Sequence, residues 1–192
     1  QGDLRMPFPV QIDSLLPVFG QDDFVAGGFQ HLPGNLPQER LVQTSNFIGF
    51  MLERAAERGI ARVMLFGHIG KLSKVAAGVF YTHNRIADAR LETIAAYAAA
   101  AGLSTEGARR VLASNTTEDA LTVLREAGLE RTVCTRIAER ASVRAERYLF
   151  GKMRVGVAMV TLQGRLLGMN EVARAIGERY HWHPSEQEQE QE

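Results

Sequence analysis

A short apolar run that ends in glycine and histidine constrains the fold of this chain more than any other feature. Residues 63–66 read Val-Met-Leu-Phe, which is typical of a strand buried on both faces of a sheet. Gly67, His68 and Gly70 follow, and apolar residues then return at helical spacing over residues 72–79. This pattern predicts a central buried strand, a glycine turn that carries His68 into a cleft, and a helix.

The predicted helix has two lysines, Lys71 and Lys74, in its first turn. Free backbone amides at a helix N-terminus together with two ammonium groups favour binding of a carboxylate or a phosphate. The residues leave a second interpretation open, in which both lysines are solvated and His68 caps a neighbouring carbonyl. In that interpretation Gly67 and Gly70 only allow close packing, and the glycine pattern is weaker than a full Gly-x-Gly-x-x-Gly fingerprint.

The composition argues against several classes of protein. The 22 basic and 22 acidic residues give a formal net charge of zero, so nothing indicates binding to nucleic acid or to a membrane surface. The longest apolar stretch, residues 94–103, is too short to span a bilayer. We expect a cytoplasmic protein, because the single cysteine, Cys134, cannot form an intrachain disulfide and no signal-peptide pattern opens the chain. Since the chain begins with Gln1, we also expect it to be processed or to be part of a longer protein.

Strand and helix patterns divide the chain into three parts. We expect an irregular segment at residues 1–22, an α/β domain at 23–180 and a disordered Glu/Gln-rich tail at 181–192. The predicted strands are residues 24–32, 41–42, 63–66, 152–162 and 165–167. The predicted helices are residues 47–58 (capped by Ser45 or Asn46), 85–101, 104–113 and 132–148, the helix after Gly70, one that ends at 127 and one from 170 to 180. This order predicts an α/β fold with a Rossmann-like sheet, a parallel core, several helices and a C-terminal hairpin.

A second group of polar residues follows the predicted glycine-turn helix. Residues 80–90 read Phe-Tyr-Thr-His-Asn-Arg-Ile-Ala-Asp-Ala-Arg. On a helix, Asn84 and Asp88 would lie one turn apart on the same face. A helix cap and an ion pair would explain these two residues but not the nearby His83 and Arg90. The spacing between this histidine and the one in the first group matches no metal-ligand motif, so we expect no metal site.

Three motifs in these two groups carry a family resemblance. Gly-His-Ile-Gly-Lys at 67–71, Thr-His-Asn at 82–84 and Ala-Asp-Ala-Arg at 87–90 closely resemble the cobalt-precorrin-5B C(1)-methyltransferase family (CbiD) of anaerobic cobalamin biosynthesis. Residues 32–35, 45–49 and 115–121 are similar to the same family. The glycine- and threonine-rich N-terminal domain of that family has no counterpart in this sequence. The resemblance therefore covers the C-terminal part of such an enzyme.

The resemblance implies transfer of a methyl group from S-adenosylmethionine to C-1 of cobalt-precorrin-5B, which gives cobalt-precorrin-6A in vitamin B12 biosynthesis. Such a transfer is an in-line displacement that needs two aligned ligands more than acid–base catalysis. The substrate is a tetrapyrrole fringed with carboxylates, which lysine, arginine and backbone amides would hold. Cobalt would arrive within the substrate. As partners we expect a second copy of the chain or the missing N-terminal domain.

The resemblance and the two polar groups together suggest candidate site residues. Histidine would position the ring or take a proton, and an acid would bind the ribose or the ammonium group of the donor. The candidate catalytic residues are His68, His83 and Asp88. The candidate substrate- and cofactor-binding residues are Asn46, Gly67, Gly70, Lys71, Lys74, Asn84, Arg85, Arg90 and Asn115.

Two other functions stay open at this point. The first is a non-catalytic domain that binds a tetrapyrrole or a nucleotide and is inactive without the missing N-terminal domain. The two retained polar groups argue against a purely structural domain. The second is a Rossmann oxidoreductase, which is less favoured because the glycine pattern is incomplete and no ribose-binding acid follows about twenty residues later.

Overall fold

The computed structural model describes residues 24–27 and 41–182. The strands are β1 Phe24–Gly27, β2 Leu41–Gln43, β3 Arg62–His68, β4 Arg154–Val160 and β5 Leu166–Met169. The helices are α1 Ile48–Glu57, α2 Ile69–Ala76, α3 Arg90–Ala100, α4 Thr105–Leu112, α5 Thr117–Glu126, α6 Glu130–Tyr148 and α7 Glu171–Arg179. The predicted α/β class is confirmed. The predicted irregular segment at 1–22 and residues 183–192 of the predicted tail lie outside the described residues.

The strand predicted at residues 63–66 is the centre of the sheet. The strand order is β2-β1-β3-β4-β5, and β3 pairs in parallel with both β1 and β4. Val63 and Leu65 pack into one hydrophobic cluster, whereas Met64 and Phe66 pack into a second. Successive side chains of a strand point to opposite faces, so a strand covered on both sides must be apolar throughout. The prediction of a central buried strand is confirmed.

Helices cover both faces of the sheet. On one face α2 packs against α6, and α6 packs against β4 and β5. On the other face Ala173 and Ile176 of α7 join Trp182 and Phe66, and the rings of Trp182 and Phe66 meet edge to face with centroids 5.8 Å apart. A Cβ atom on Gly156 of β4 would lie 2.7 Å from the backbone nitrogen of Ala173. The glycine is therefore needed for the close approach of α7 to the sheet.

The prediction of a glycine turn after β3 is wrong. The strand continues through Gly67 to His68, and α2 begins directly at Ile69. Neither Gly67 nor Gly70 has a positive φ angle, so neither is there to allow a left-handed turn. The helix starts early because His68 itself is the N-cap. As a consequence Lys74 lies in the last turn of α2 and not in its first turn.

The alanine-rich helix predicted from Arg85 begins five residues later, at Arg90. The preceding residues form a turn in which the backbone N–H of Arg85 donates to Nδ1 of His83. Polar side chains that bond to nearby backbone groups compete with the helix in this way. The expectation that Asn84 and Asp88 share one helical face is therefore wrong, because both residues lie in the loop before α3.

Some helices of the structure begin with a side-chain cap and others do not. Neither Ser45 nor Asn46 caps α1, which starts without a side-chain cap. Ser104, Thr116 and Asn170 cap α4, α5 and α7 through their side chains. The antiparallel pairing of β4 with β5 agrees with the predicted hairpin. Among the described residues, no helix combines the length and the apolar content that a membrane crossing requires.

Candidate functional site

A cleft of about 330 Å³ lies at the carboxyl end of β3. Its walls come from the start of α2, from the loop before α1 and from the loop before α3. In open α/β sheets, ligands bind beyond the carboxyl ends of the strands. The residues that line the cleft are Asn46, His68, Gly70, Lys71, Lys74, Thr82, His83, Asn84 and Arg90.

His68 is fixed between α2 and α5. Its Nδ1 accepts a hydrogen bond from the N–H of Gly70 at 3.1 Å, and its Nε2 lies 3.0 Å from Oε1 of Glu118. Because Nδ1 accepts, the ring hydrogen belongs on Nε2, where it is donated to the carboxylate. The same carboxylate oxygen accepts from the N–H of Leu162 at 3.0 Å. Both ring nitrogens are thus engaged within the protein, and the contacts fix the position of the ring.

Gly70 is required by the close approach of the histidine ring. A Cβ atom at this position would lie 2.9 Å from Nδ1 of His68, a distance that real Cβ atoms do not show. At Gly67, by contrast, a Cβ atom would find nothing within 4 Å. The two glycines of the motif therefore differ, and only Gly70 is needed for the geometry of the cleft.

Lys74 is buried, with 1% of its surface exposed. Its Nζ donates to the backbone carbonyl of Thr82 at 3.1 Å and to Oδ1 of Asn84 at 2.5 Å. Burial lowers the pKa of this ammonium group, while the nearby Asp88 carboxylate acts in the opposite direction. The interpretation of Lys74 as a solvated surface lysine is wrong. The side chain attaches α2 to the loop before α3.

Lys71 reaches across the cleft from the same helix. Its Nζ donates to the backbone carbonyl of Ser45 at 3.0 Å, and partial burial lowers its pKa. Ser45 lies in the loop before α1. The two lysines of α2 therefore each hold one of the two loops that line the cleft.

The two loops are also bonded to each other. The N–H of Thr82 donates to the carbonyl of Asn46 at 3.0 Å, and the Thr82 hydroxyl lies 3.4 Å from Oδ1 of Asn46. One step further from the cleft, the N–H of Gly49 donates to the carbonyl of Phe80 at 3.0 Å. Backbone bonds of this kind give the cleft a defined shape without a ligand.

Arg90 forms a two-pronged ion pair with Asp88. Nε and Nη2 of the guanidinium each lie 2.6 Å from one carboxylate oxygen. The hydrogen bonds with Arg90 lower the pKa of Asp88 and raise that of Arg90. Arg90 lines the cleft, whereas Asp88 does not. With both of its oxygens engaged, Asp88 orients the arginine.

The charges on the cleft walls are mainly positive. Lys71, Lys74 and Arg90 line the cleft. Asp88, which does not line it, offsets only part of their positive charge. A concave surface with an excess of one charge concentrates ligands of the opposite charge. Among the described residues, no group of three or more His, Cys, Asp or Glu side chains could hold a metal ion. The arrangement is suited to binding anions.

The structure brings together eight of the twelve predicted site residues and leaves four outside the cleft lining. Besides Asp88, these are Gly67 within β3, Arg85 in the loop before α3 and Asn115 in the turn before α5. Arg85 is exposed and contributes its backbone N–H to the His83 ring. Residues of both polar groups line the cleft together, and their roles toward a ligand stay predictions.

Two residues of the site were not assigned a role from the sequence. Thr82 bonds to both Lys74 and Asn46, yet in the sequence it is one of several polar residues in a row. Glu118 holds His68 from a position fifty residues away. The similarity of residues 115–121 to the family was the available signal for Glu118, and it pointed to Asn115 instead.

Comparison with known proteins connects the cleft to a family. Residues 81–171 match the family model described as CbiD, C-terminal domain. The cobalt-precorrin-5B C(1)-methyltransferase of Moorella thermoacetica is 49% identical over 141 residues, which are 73% of this chain and 39% of the relative. The enzyme of the same name from Desulfitobacterium hafniense is 42% identical over 154 residues, covering 80% of this chain and 40% of the relative.

A third relative with that name, from a Thermoanaerobacter species, is 40% identical over 148 residues, covering 77% of this chain and 39% of the relative. No solved structure matches the chain. The chain spans about 40% of the length of these three relatives. Residues 81–171 are thus matched to the C-terminal domain of the CbiD family, and the chain is similar to cobalt-precorrin-5B C(1)-methyltransferases along 73–80% of its own length.

Proposed function

We propose that the chain is the C-terminal part of an S-adenosylmethionine-dependent methyltransferase of cobalamin biosynthesis. The reaction is transfer of a methyl group to C-1 of cobalt-precorrin-5B, which gives cobalt-precorrin-6A. The observation that carries the proposal is the positively charged cleft at the end of β3, lined by Lys71, Lys74 and Arg90. It occurs in a chain whose relatives carry the name of that enzyme.

The cleft suits the carboxylate groups of the two ligands. Its volume of about 330 Å³ is at the lower end of the range for pockets that bind small molecules, roughly 300–1,000 Å³. It therefore receives a part of a ligand, such as the carboxylate arms of the macrocycle or the methionine end of the donor. Lys71 and Arg90 would bind the carboxylates by charge-assisted hydrogen bonds. Lys74 has one N–H left after its bonds to the loop before α3.

The chemistry of the reaction requires alignment more than proton transfer. The donor supplies the sulfonium methyl group, and cobalt belongs to the substrate. In this proposal His68 and Asp88 position other groups, because His68 caps α2 and Asp88 orients Arg90. The remaining histidine, His83, accepts the Arg85 N–H at Nδ1, which places its ring hydrogen on Nε2. That nitrogen can donate to a bound carboxylate.

Several finer expectations belong to the same proposal. The parallel pairing of β2, β1, β3 and β4 supports the description of the sheet as Rossmann-like. The balanced charge and the single buried cysteine, Cys134, support a cytoplasmic location. The proposal also includes that further residues complete the site. They would come from an N-terminal domain or from a second copy of the chain.

One observation favours a second candidate function, a domain that binds the tetrapyrrole or a nucleotide without catalysing a reaction. Both nitrogens of His68 and both oxygens of Asp88 are engaged within the protein. Two of the three candidate catalytic side chains therefore act on neighbouring protein groups. Incubation with the methyl donor and a cobalt-precorrin substrate separates the two functions, because only the enzyme releases S-adenosylhomocysteine.

The double variant Lys71→Ala with Arg90→Ala tests the proposal. Each lost charge-assisted contact is worth about 1.5–3 kcal/mol before solvent screening is considered. Arg90 is 26% exposed at its side chain, so screening reduces its share. We expect at least tenfold weaker binding of a carboxylate-bearing cobalt corrinoid, with a smaller loss at high salt.

The matched control is Arg109→Ala with Lys152→Ala, which removes two exposed positive charges outside the cleft lining. Affinity is measured by calorimetric titration of cobyrinic acid, a cobalt corrinoid with seven carboxylates, at low and high salt. Circular dichroism of each variant shows whether the domain is folded. Equal affinity of the wild-type protein and the Lys71 and Arg90 variant, both folded, would remove these side chains from the site and contradict the proposal.

A further inference from the structure

A row of three aromatic rings stands beside the cleft, and two of them, Phe47 and Tyr81, have no role in the contacts described so far. The row consists of Phe47, Tyr81 and His83. The ring centroids of Phe47 and Tyr81 are 5.0 Å apart with their planes at 49°. Those of Tyr81 and His83 are 6.4 Å apart with their planes at 19°. The planes of Tyr81 and His83 are therefore nearly parallel, whereas the Phe47 ring is tilted against Tyr81.

The row reaches the solvent at the rim of the cleft. Tyr81 is 38% exposed and His83 is exposed and lines the cleft. The other two rings are each next in sequence to a lining residue, since Asn46 precedes Phe47 and Thr82 follows Tyr81. Aromatic side chains that stay partly exposed next to a concave surface indicate a binding site.

The backbone keeps the row in place. The N–H of Thr82 donates to the carbonyl of Asn46, which joins the loop that carries Tyr81 to the loop that carries Phe47. The N–H of Phe47 donates to the carbonyl of Thr44 at 2.9 Å. Rings that are held before a ligand arrives lose little conformational freedom on binding.

We propose that Phe47, Tyr81 and His83 form a stacking surface for a conjugated ring system whose attached carboxylates enter the cleft. The inference rests on the proposed function and adds to it a surface for the flat part of the ligand. Lys71 and Arg90 attract the charged groups, an exposed face of the nearly parallel Tyr81 and His83 rings contacts the ring system, and Phe47 supports Tyr81. This chemistry is shared by the macrocycle of the substrate and by the adenine of the methyl donor.

The test substitutes Tyr81, the central ring of the row, in two ways. Tyr81→Leu removes the ring and keeps an apolar side chain, whereas Tyr81→Phe keeps the ring. Phe150→Leu is the remote control, because Phe150 is 90% exposed and precedes the amino end of β4, at the opposite end of the sheet. Phe47→Leu is the second variant if Tyr81→Leu does not fold.

Two ligands identify which ring system is bound. Each variant is titrated with cobyrinic acid and with S-adenosylhomocysteine, and circular dichroism reports folding. We expect Tyr81→Leu to weaken binding of at least one ligand by about two- to tenfold, the range for an aromatic pair. Tyr81→Phe and Phe150→Leu should bind like the wild-type protein. A loss confined to cobyrinic acid assigns the surface to the macrocycle, and a loss confined to S-adenosylhomocysteine assigns it to adenine.

Salt separates the stacking surface from the charged cleft. The loss caused by Tyr81→Leu should be the same at low and high salt, whereas the loss caused by Lys71→Ala with Arg90→Ala should shrink as salt rises. If Tyr81→Leu binds both ligands with wild-type affinity while the lysine and arginine variant is weakened, the stacking surface is refuted and the proposed function stands. If the wild-type protein binds neither ligand, both are overturned.

Discussion

Replacement of the buried lysine by methionine tests how the cleft is held together. Lys74→Met removes the ammonium group and keeps an unbranched side chain that fills much of the same space. In the wild-type protein the Nζ atom joins α2 to the backbone carbonyl of Thr82 and to the side chain of Asn84. The variant therefore cuts the link between the helix and the loop before α3 without opening a large cavity.

Two opposing effects decide the size of the change. Thr82 is buried, so its carbonyl loses a partner that water does not easily replace, at a cost of about 1–3 kcal/mol. Asn84 is exposed and can bond to water instead. Removal of the ammonium also relieves the desolvation that lowers the pKa of Lys74. We expect the free energy of unfolding to decrease by about 1–2 kcal/mol, because the relieved desolvation offsets part of the cost of the unpaired carbonyl.

The pH dependence has a definite sign. The pKa of Lys74 in the folded protein lies below its ordinary value of 10.5, so between these two values the unfolded chain binds more protons than the folded protein. The free energy of unfolding of the wild-type protein therefore gains a contribution that is complete above 10.5 and is lost as the pH falls through the lowered pKa. Lys74→Met lacks this contribution, so the stability difference between the two proteins should widen as the pH rises through this window.

Urea unfolding followed by circular dichroism, at neutral pH and again near pH 10.5, measures both quantities. Lys152→Met is the control, because Lys152 is exposed in the turn before β4. Equal free energies of unfolding for Lys74→Met and the wild-type protein at both pH values would refute the reasoning. The ammonium would then contribute nothing to the attachment of the loop.

The remaining predictions use the same unfolding assay. Gly70→Ala should lower the free energy of unfolding by about 1–2 kcal/mol because the new methyl group overlaps His68, whereas Gly67→Ala should change it by less than about 0.5 kcal/mol. Asn170→Ala should cost about 2–3 kcal/mol, because its Oδ1 accepts from backbone N–H groups of both β4 and α7, and one of them stays buried without a partner. The ion pair of Asp88 with Arg90 contributes to the free energy of unfolding above pH 3.8, and this contribution is lost as the pH falls through the lowered pKa of Asp88. Asp88→Asn should lack the contribution, which is at most about 1 kcal/mol because the carboxylate is 42% exposed. Equal stability of Gly67→Ala and Gly70→Ala would contradict the first of these predictions. Wild-type stability of Asn170→Ala would contradict the second. The third is contradicted if Asp88→Asn and the wild-type protein unfold alike in acid.

The sequence predicted the parts of the fold that depend on local pattern. The run at residues 63–66 is apolar at every position because β3 is covered on both faces, and this made its central place predictable. Ser104 and Asn170 cap helices by accepting hydrogen bonds from the backbone N–H groups three positions later. Such caps follow from the residue type and its position just before a helix. Such features need no knowledge of distant residues.

The loops of the cleft could not be predicted in this way. Thr82 bonds to Lys74 and to Asn46, which is thirty-six residues away in sequence. These contacts hold residues around His83 and Asn84 in a turn, although the alanine-rich sequence that follows favours a helix. Tertiary contacts that override a local preference are invisible in a single sequence. Asp88 differs from these residues, because its partner Arg90 is only two positions away and the sequence analysis already offers an ion pair as one interpretation.

The motif Gly-His-Ile-Gly-Lys at residues 67–71 is best explained as one structural unit. His68 ends β3 and caps α2 through its Nδ1, and this requires the absence of a side chain at Gly70. Because the cap fixes where α2 begins, it also fixes which turn of the helix carries Lys71 and which carries Lys74. The position of the charges in the cleft thus depends on a histidine that need not touch the ligand. Substitution of His68 would therefore be expected to weaken anion binding by displacing the two lysines, even if the proposed methyl transfer needs no proton from its ring.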